Sequence, residues 1–474
     1  RRVNTSSVEK KFVYLAIIFG LIIMVLTPPF QAPDEDSHFK KAYVISKGNI
    51  FPEEEDGKAG FDLPIEMVQY IEIQKSKAGD FDEKFEFKDL YMKERLPAGY
   101  SNTKFYNFST ASQNPLGHCV QAAGIIAGQI FAHILDVKDP SVVYQLYFAR
   151  FFNLLFYVVV IAISIKLTPI LKKTFAMIAL MPMALFQAAT VSYDPVLIAL
   201  AFFATAIIFD IAFNREVSQV RFRHLIILSG IAYVFYAVKI VYVPLLFLLF
   251  IIPKEKWGNK KATIKKIGVL AIVFAFLFLA FKVMTPHLEL VTQDNSGALA
   301  HEQMIYVIQH PIGYLKIFFH TLNHTRQFLI STTIGTFGLI DTNLYCVFLG
   351  SYLVILPVVG ISEISLDSKH IRMMDRLVVF VSTGAPVFGT FLAMYLLWTS
   401  TQEGFGVGAS QITGVQGRYF IPVLPAIFLF FSNQILQRNS KIKKGMKLLV
   451  DNSELVITVM LCMSAIALLL RFWC

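Results

Sequence analysis

The stretch FVYLAIIFGLIIMVLTPPFQAPDEDSH, residues 12 to 38, joins a continuous apolar run to three consecutive carboxylates and a histidine. An apolar run of this kind suits the roughly 30 Å hydrocarbon core of a bilayer. No small-x-small cleavage site follows it, so we interpret the run as an uncleaved membrane span rather than a signal peptide. The stretch therefore predicts a first span that leaves the membrane directly into an acidic segment.

The composition of the whole chain is that of a membrane protein. It is 55% hydrophobic and only 16% charged, with a mean hydropathy of +0.57, which is more apolar than a soluble globular chain. Further apolar segments follow the first, which covers residues 12 to 29; they lie at 143–165, 174–191, 195–213, 224–253, 267–285, 343–363, 377–399, 418–436 and 453–473. We expect an all-α integral membrane protein with a single polytopic domain over residues 1–474.

The basic residues predict which side of the membrane each loop faces, because cytoplasmic loops hold an excess of Lys and Arg. More than half of the 43 Lys and Arg lie in six clusters, at the N-terminus and at 166–173, 215–223, 254–266, 369–376 and 438–447. All six face one side only if 224–253 is a hairpin of two short helices that turns near Lys239, and if 286–342 stays outside without fully crossing. This arrangement gives about eleven spans, with the N-terminus inside and the C-terminus outside. The net charge of +10 is then explained by orientation and does not indicate nucleic-acid binding.

Two long polar segments are expected on the outer side, at about 30–142 and 286–342. The first begins with APDEDSHFKKAYVISKG, which predicts a short helix at the membrane surface with Asp34 and His38 on one face. A second amphipathic helix is expected from about Pro115, with His118 and His133 on its polar face. The mixed-charge run between these helices predicts a solvated surface.

Ionisable residues gather at the outer ends of the predicted spans. They are Arg150, Asp194, Lys239 and Arg418, together with the acids of the first exit. Each has a structural alternative: the basic residues can snorkel to lipid headgroups, Asp194 can cap a helix, and the exit acids can stabilise a helix start. Acids and bases at one leaflet are, however, what a site for an anionic, lipid-linked substrate requires.

Metal binding is left open by the sequence. The oxygen-rich run of Asp34, Glu35 and Asp36 would suit Mg²⁺ or Mn²⁺. The four cysteines have no CxxC spacing and do not indicate a zinc site.

Four segments together resemble a bacterial family of multi-pass membrane proteins of formerly unknown function, which is similar to the GT-C glycosyltransferases. They are PPFQAPDEDSHFKKAYVISKG, the SYD of VSYDPV, GTFGLIDT at 335–342 and VQGRYFIPVLP at 415–425. The resemblance implies a GT-C architecture in the bacterial cytoplasmic membrane, with an outward-facing site. It also implies site residues, which are Asp34, Glu35, His38, Asp341, Gln416, Arg418 and Tyr419. At Leu339 this chain departs from the family pattern, where an aromatic residue is expected.

The expected reaction is transfer of a sugar from a polyprenyl (undecaprenyl) phosphate to a cell-surface polysaccharide or other glycan acceptor. Negative charge grows on the leaving phosphate, so the site needs a base and fixed positive charges. Asp34 or Glu35 is the expected base, and Arg418, with Lys239 or Arg150, supplies the charge. The alternatives are a flippase or transporter and a polymerase for lipid-linked saccharides. No paired repeat of the kind found in many transporters is visible in the sequence.

Overall fold

The computed structural model describes residues 8–88, 102–138, 140–284, 296–364, 371–431 and 440–474. These residues are mostly helical, as the sequence predicts. The helices of the first half are α1 (Val8–Leu26), α2 (Glu35–Ser46), α3 (Ile65–Ser76), α4 (Cys119–Ile134), α5 (Val142–Leu167), α6 (Lys172–Ala179), α7 (Pro182–Ala188), α8 (Asp194–Phe213) and α9 (Phe222–Lys239). Those of the second half are α10 (Lys254–Trp257), α11 (Lys260–Met284), α12 (Ser296–Gln309), α13 (Pro311–His324), α14 (Arg326–Ile334), α15 (Cys346–Glu363), α16 (Met373–Leu397), α17 (Leu424–Ile427) and α18 (Ser440–Phe472).

Seven stretches of the described chain are long and apolar enough to cross a membrane. They are Val142–Leu167, Asp194–Phe213, Phe222–Ile251, Lys260–Leu279, Cys346–Glu363, Met373–Thr401 and Gly445–Phe472. The helix α1 is not among them because Glu9, Lys10 and Lys11 shorten its apolar part. The protein is thus an all-α integral membrane protein. The expected count of about eleven spans also included shorter and interrupted segments.

The expected hairpin at 224–253 is present. The helix α9 ends at Lys239, and a 3-10 helix, Ile240–Ile251, continues the chain. The backbone N–H of Val220, before this stretch, donates to the carbonyl of Lys256, after it, at 2.8 Å. Because the two ends meet, the stretch returns to the side from which it started, and its turn presents Lys239 at the opposite end.

Two predicted spans are interrupted rather than continuous. Residues 174–191 form α6 and α7, which are separated at Leu180 and Met181. The segment 418–436 begins as a 3-10 helix, Gly417–Val423, followed by α17, and its residues 432–436 lie outside the described part of the chain. Pro422 and Pro425 explain the second interruption, since proline lacks the N–H that a continuing α-helix needs.

The segment between α1 and α5 contains a small sheet that the sequence did not predict. Its antiparallel strands are β1 (Glu53–Glu55), β2 (Lys58–Pro64) and β3 (Thr103–Asn107), in the order β1-β2-β3. The mixed-charge run expected to be solvated is mostly exposed over 51–58 and 75–88, but Ala59 near its edge and the following Phe61 and Leu63 of β2 are buried. These side chains pack with Phe39 of α2 and Leu146 of α5 in a hydrophobic core of their own. That core holds α2 against the start of α5. We call α2 the exit helix because it follows the end of α1. A second antiparallel pair, β4 (Thr336–Phe337) with β5 (Thr342–Asn343), lies farther along the chain.

Candidate functional site

The exit helix α2 is the first element of the site. It ends at Lys47 and Gly48, as predicted, and Gly48 has the positive φ of 87° that favours glycine. Asp34 precedes the helix in the left-handed conformation, with φ of 57°. Its side chain is exposed and makes no capping hydrogen bond to the helix. The structure therefore leaves this carboxylate unengaged by the helix it precedes.

Glu35, the next residue, is engaged on every side. Its two carboxylate oxygens accept from Nε and Nη2 of Arg150 at 2.8 and 2.6 Å, and both side chains are fully buried. They also accept from the backbone N–H groups of Phe30 and Val191. The remaining Arg150 N–H groups donate to carbonyls at the end of the first helix, those of Met24, Thr27 and Pro28. The pair thus ties α2 to the end of α1, and neither side chain has a free hydrogen-bonding position for a substrate.

Asp36 points to a third set of partners. It pairs with Lys75 of α3 at 3.0 Å and with Lys40 at 3.5 Å. Burial opposes ionisation of Asp36, but the two lysines outweigh it and lower the pKa of this carboxyl. Because Asp34, Glu35 and Asp36 diverge, they do not form a ligand set for Mg²⁺ or Mn²⁺. No group of three or more His, Cys, Asp or Glu side chains suited to a metal ion occurs within the described ranges.

Three charged residues from distant segments meet beside the exit helix, and we call them the charge cluster: Asp194, Lys239 and Arg418. Lys239 Nζ lies 3.6 Å from Asp194 Oδ1, and Arg418 Nε lies 4.0 Å from Asp194 Oδ2. Gln187 donates to the same carboxylate at 3.1 Å. The cluster carries two positive charges and one negative charge, so it holds a net positive charge in a largely buried setting.

Lys239 is surrounded by tyrosine rings. Its Nζ lies 3.7 Å from the ring centroid of Tyr419 and 5.7 and 5.9 Å from those of Tyr242 and Tyr193. Tyr242 also donates its hydroxyl to the carbonyl of Tyr419 at 2.8 Å, which ties the turn of the hairpin to the segment at Gln416. The aromatic faces stabilise a half-buried ammonium group.

Gly417 explains how Arg418 reaches this position. The Gly417 N–H donates to Thr332 Oγ1 of α14 at 2.8 Å. A Cβ at this position would collide with the carbonyl of Leu329 and with Thr333. Only glycine allows the backbone to approach α14 this closely, and the next residue, Arg418, then points into the cluster.

Several buried polar atoms of the site have no hydrogen-bond partner among the described residues. They are Arg418 Nε, Gln187 Oε1, Gln416 Oε1 and His118 Nδ1. Buried polar groups are normally paired, and an unpaired one usually marks a place for water, an ion or a ligand. The unpaired atom of a buried guanidinium is the most costly of these.

A cavity of about 450 Å³ adjoins the cluster. Its polar lining comes from Tyr193, Tyr236, Lys239, Thr390 and Tyr419. The rest is apolar and includes Val238, Ile240, Val241, Met394 and Leu397. A volume of this size and an apolar wall with few polar groups are typical of small-molecule sites.

His38 and His118 form a buried pair at the same place. Nδ1 of His38 and Nε2 of His118 are 2.8 Å apart, and the ring of His38 packs edge-to-face on Tyr193. Burial lowers the pKa of His38 to about 4, although Asp194 and Asp34 favour its charged form. Burial, with His38 and Lys41 nearby, also lowers the pKa of His118. The expectation that His118 lies on a polar face is wrong because its side chain is fully buried, whereas His133 is exposed.

Asp341 lies in a different arrangement. It pairs with Arg471 of the C-terminal helix at 3.2 Å and accepts from Thr342 at 2.9 Å. Arg471 in turn donates to the carbonyl of Asp80 at 2.8 Å. These contacts join the end of α18 to the segment between α1 and α5, and they give Asp341 a structural explanation that does not involve the charge cluster.

The structure brings together Asp34, His38, Asp194, Lys239, Arg418 and Tyr419 from the residues that the sequence suggested. Sequence reasoning missed His118, Gln187, Tyr193 and Tyr242. Tyr193 was within reach, since it stands beside Asp194 in the SYD segment. Gln187 and His118 offered a weaker signal, as polar residues in otherwise apolar surroundings.

Comparison with known proteins identifies the family but no characterised relative. No curated protein and no solved structure matches the chain. A family model described as a predicted membrane protein (DUF2142) matches residues 17–427, which include every member of the charge cluster. The chain belongs to the DUF2142 family of membrane proteins.

Proposed function

We propose that this protein is a membrane glycosyltransferase of the GT-C type. It moves a sugar from a polyprenyl (undecaprenyl) phosphate to a glycan or polysaccharide acceptor on the outer face of the bacterial cytoplasmic membrane. About eleven spans with an outward-facing site complete the proposed architecture, and the sorting of the basic loops supports this orientation.

The charge cluster is the observation that carries the proposal. Arg418 is buried, its Nε has no hydrogen-bond partner among the described residues, and Lys239 lies across Asp194 from it. A guanidinium in this state favours an anionic ligand with several oxygens, and phosphate matches its planar set of donors. The adjoining apolar cavity suits the lipid part of such a ligand.

The proposed reaction breaks the bond between the anomeric carbon of the sugar and a phosphate oxygen. The bond electrons stay on that oxygen, where Arg418 and Lys239 stabilise the growing negative charge. A hydroxyl of the acceptor forms the new bond to the anomeric carbon, and its proton passes to the base. Asp34 is the proposed base because its carboxylate is exposed and makes no capping bond.

Other residues then have supporting roles. Glu35 and Arg150 hold the exit of the first span and are no longer candidates for the base or the phosphate contact, since their hydrogen bonds are all used. Asp194 keeps the two cations at a fixed separation. Gln416 and Tyr419 flank Arg418, and Tyr419 covers Lys239.

The test is transfer by the purified protein in lipid nanodiscs. Radiolabelled sugars on undecaprenyl phosphate are supplied with cell-wall polysaccharide, and incorporation is measured. We expect transfer by the wild type and a loss of roughly 10²- to 10⁴-fold for Asp34→Asn. Asp136→Asn is the matched control, because Asp136 has the same left-handed backbone conformation, φ of 56°, but lies at the end of α4. Wild-type protein that binds the lipid but transfers nothing, or moves it across the bilayer, would favour a flippase instead.

Arg418→Lys tests the phosphate contact in the same assay. Lysine keeps the charge but loses the planar set of donors, so donor turnover is expected to fall while folded yield is retained. Arg372→Lys is the control, since Arg372 pairs with Asp375 at an exposed helix start. Unchanged donor KM and kcat in Arg418→Lys would remove this residue from the site.

A further inference from the structure

The buried histidine pair has no role in the reaction described so far. His38 belongs to the exit helix, one turn after Asp34, whereas His118 ends a 3-10 helix, Pro115–His118, in front of α4. Two neutral imidazoles at 2.8 Å share one proton in the hydrogen bond, and the direction of this bond decides whether Nε2 of His38, the nitrogen outside the bond, carries a proton.

The position of His118 is closely determined. Asn114 caps the 3-10 helix by accepting from the N–H of Leu116 at 3.0 Å. At Gly117 a Cβ would come within 3.2 Å of both Tyr193 and Val238, so this turn packs directly against the wall of the site. His118 is therefore fully buried next to a turn that is fixed by this packing.

The unpaired nitrogen of His118 indicates the direction of the hydrogen bond. If His38 donated from Nδ1, His118 would carry its own proton on Nδ1, which is buried and has no partner among the described residues. If His118 donates from Nε2, its Nδ1 is a lone pair without a proton. A buried N–H without an acceptor is the rarer arrangement in proteins, so the second direction is favoured.

We propose that His118 is a positioning residue that donates to Nδ1 of His38 and so holds His38 in the tautomer protonated at Nε2. The purpose of this tautomer rests on the proposed function. In that reaction His38 offers a neutral N–H next to Asp34, where the acceptor and the donor phosphate meet. The negative charges of Asp194, Asp34 and Asp36 favour protonation of His38, and the positive charge of Arg418 opposes it. The positive charge of Lys41 opposes protonation of His118.

The tautomer is measured directly by ¹⁵N NMR of histidine-labelled protein in detergent micelles. The His38 signals are identified by their absence from the spectrum of His38→Gln. We expect a non-protonated Nδ1 and a protonated Nε2 in the wild type, and a mixture of tautomers in His118→Phe. A protonated Nδ1 in the wild type, or an unchanged tautomer in His118→Phe, would overturn the assignment.

Activity provides the second readout. His118→Phe is expected to lower kcat roughly 3- to 10-fold, the factor that one neutral hydrogen bond supplies, with donor KM nearly unchanged. His118→Gln should recover most of the rate, because its amide N–H can donate to Nδ1, and His133→Gln on the exposed face should have no effect. Equal losses in His118→Phe and His118→Gln, tracking folded yield, would show a merely structural residue. If the wild type transfers no sugar, the proposed function fails, while the NMR result still decides the tautomer.

Discussion

Among the acids of the exit helix, Glu35 is expected to affect folding stability most when it is substituted. Glu35→Gln removes the negative charge that faces Arg150, while both groups remain fully buried. Arg150 keeps its three contacts to backbone carbonyls but loses its only carboxylate partner within the described chain. Removing one partner of a buried ion pair typically costs about 3 to 5 kcal/mol, a large share of a normal folding free energy.

Thermal denaturation in detergent, followed by gel filtration of the remaining monodisperse protein, measures the effect. We expect a large loss of folded yield and thermal stability in Glu35→Gln. Glu454→Gln is the matched control, because its ion pair with Lys11 is half exposed on both sides and should be worth only about 0 to 1 kcal/mol. The double variant Glu35→Gln, Arg150→Met should be more stable than Glu35→Gln alone, since no buried charge is then left without a partner. A Glu35→Gln protein as stable as the wild type would refute the structural role of the Glu35–Arg150 ion pair, and Glu35 would again be a candidate base.

Three further perturbations test separate parts of the structure. Gly417→Ala should displace Arg418 and lower both folded yield and donor affinity, because the added Cβ collides with the backbone carbonyl of Leu329; an unchanged donor affinity in a titration would contradict this. The pKa of His38 is about 4 in the folded protein and 6.5 for an unperturbed histidine, as in the unfolded chain. Between these pH values the unfolded chain therefore binds more protons. Stability should therefore be complete above about pH 6.5 and fall by roughly 3 kcal/mol towards pH 4, with a flatter pH profile in His38→Gln. Arg471→Ala should increase proteolysis near Asp80 without altering donor binding, and equal cleavage in wild type and variant would speak against this contact.

The long helices of this protein could be predicted from the sequence because each depends on a local property. A run of apolar side chains selects a helix that satisfies its own backbone in lipid, and the basic loops indicate sidedness. The hairpin at Lys239 followed from the same evidence, and the meeting of Val220 with Lys256 agrees with it. The pairing of β2 with β3 was missed because the two strands are far apart in the chain, whereas the hairpin of β1 and β2 has a local signal in its Asp56-Gly57 turn.

The amino-acid sequence by itself determined that acids and bases stand at the ends of the spans, but tertiary structure decided what each one does. Glu35 and Arg150 are 115 residues apart, and only packing made them partners. Asp34, one residue earlier, lies in the left-handed conformation, and its side chain makes no capping hydrogen bond to the helix. The sequence predicted a polar-face position for His118, but the fold buries this residue against His38. A charged side chain takes its role from the groups that surround it, and those groups come from segments that local sequence cannot bring together.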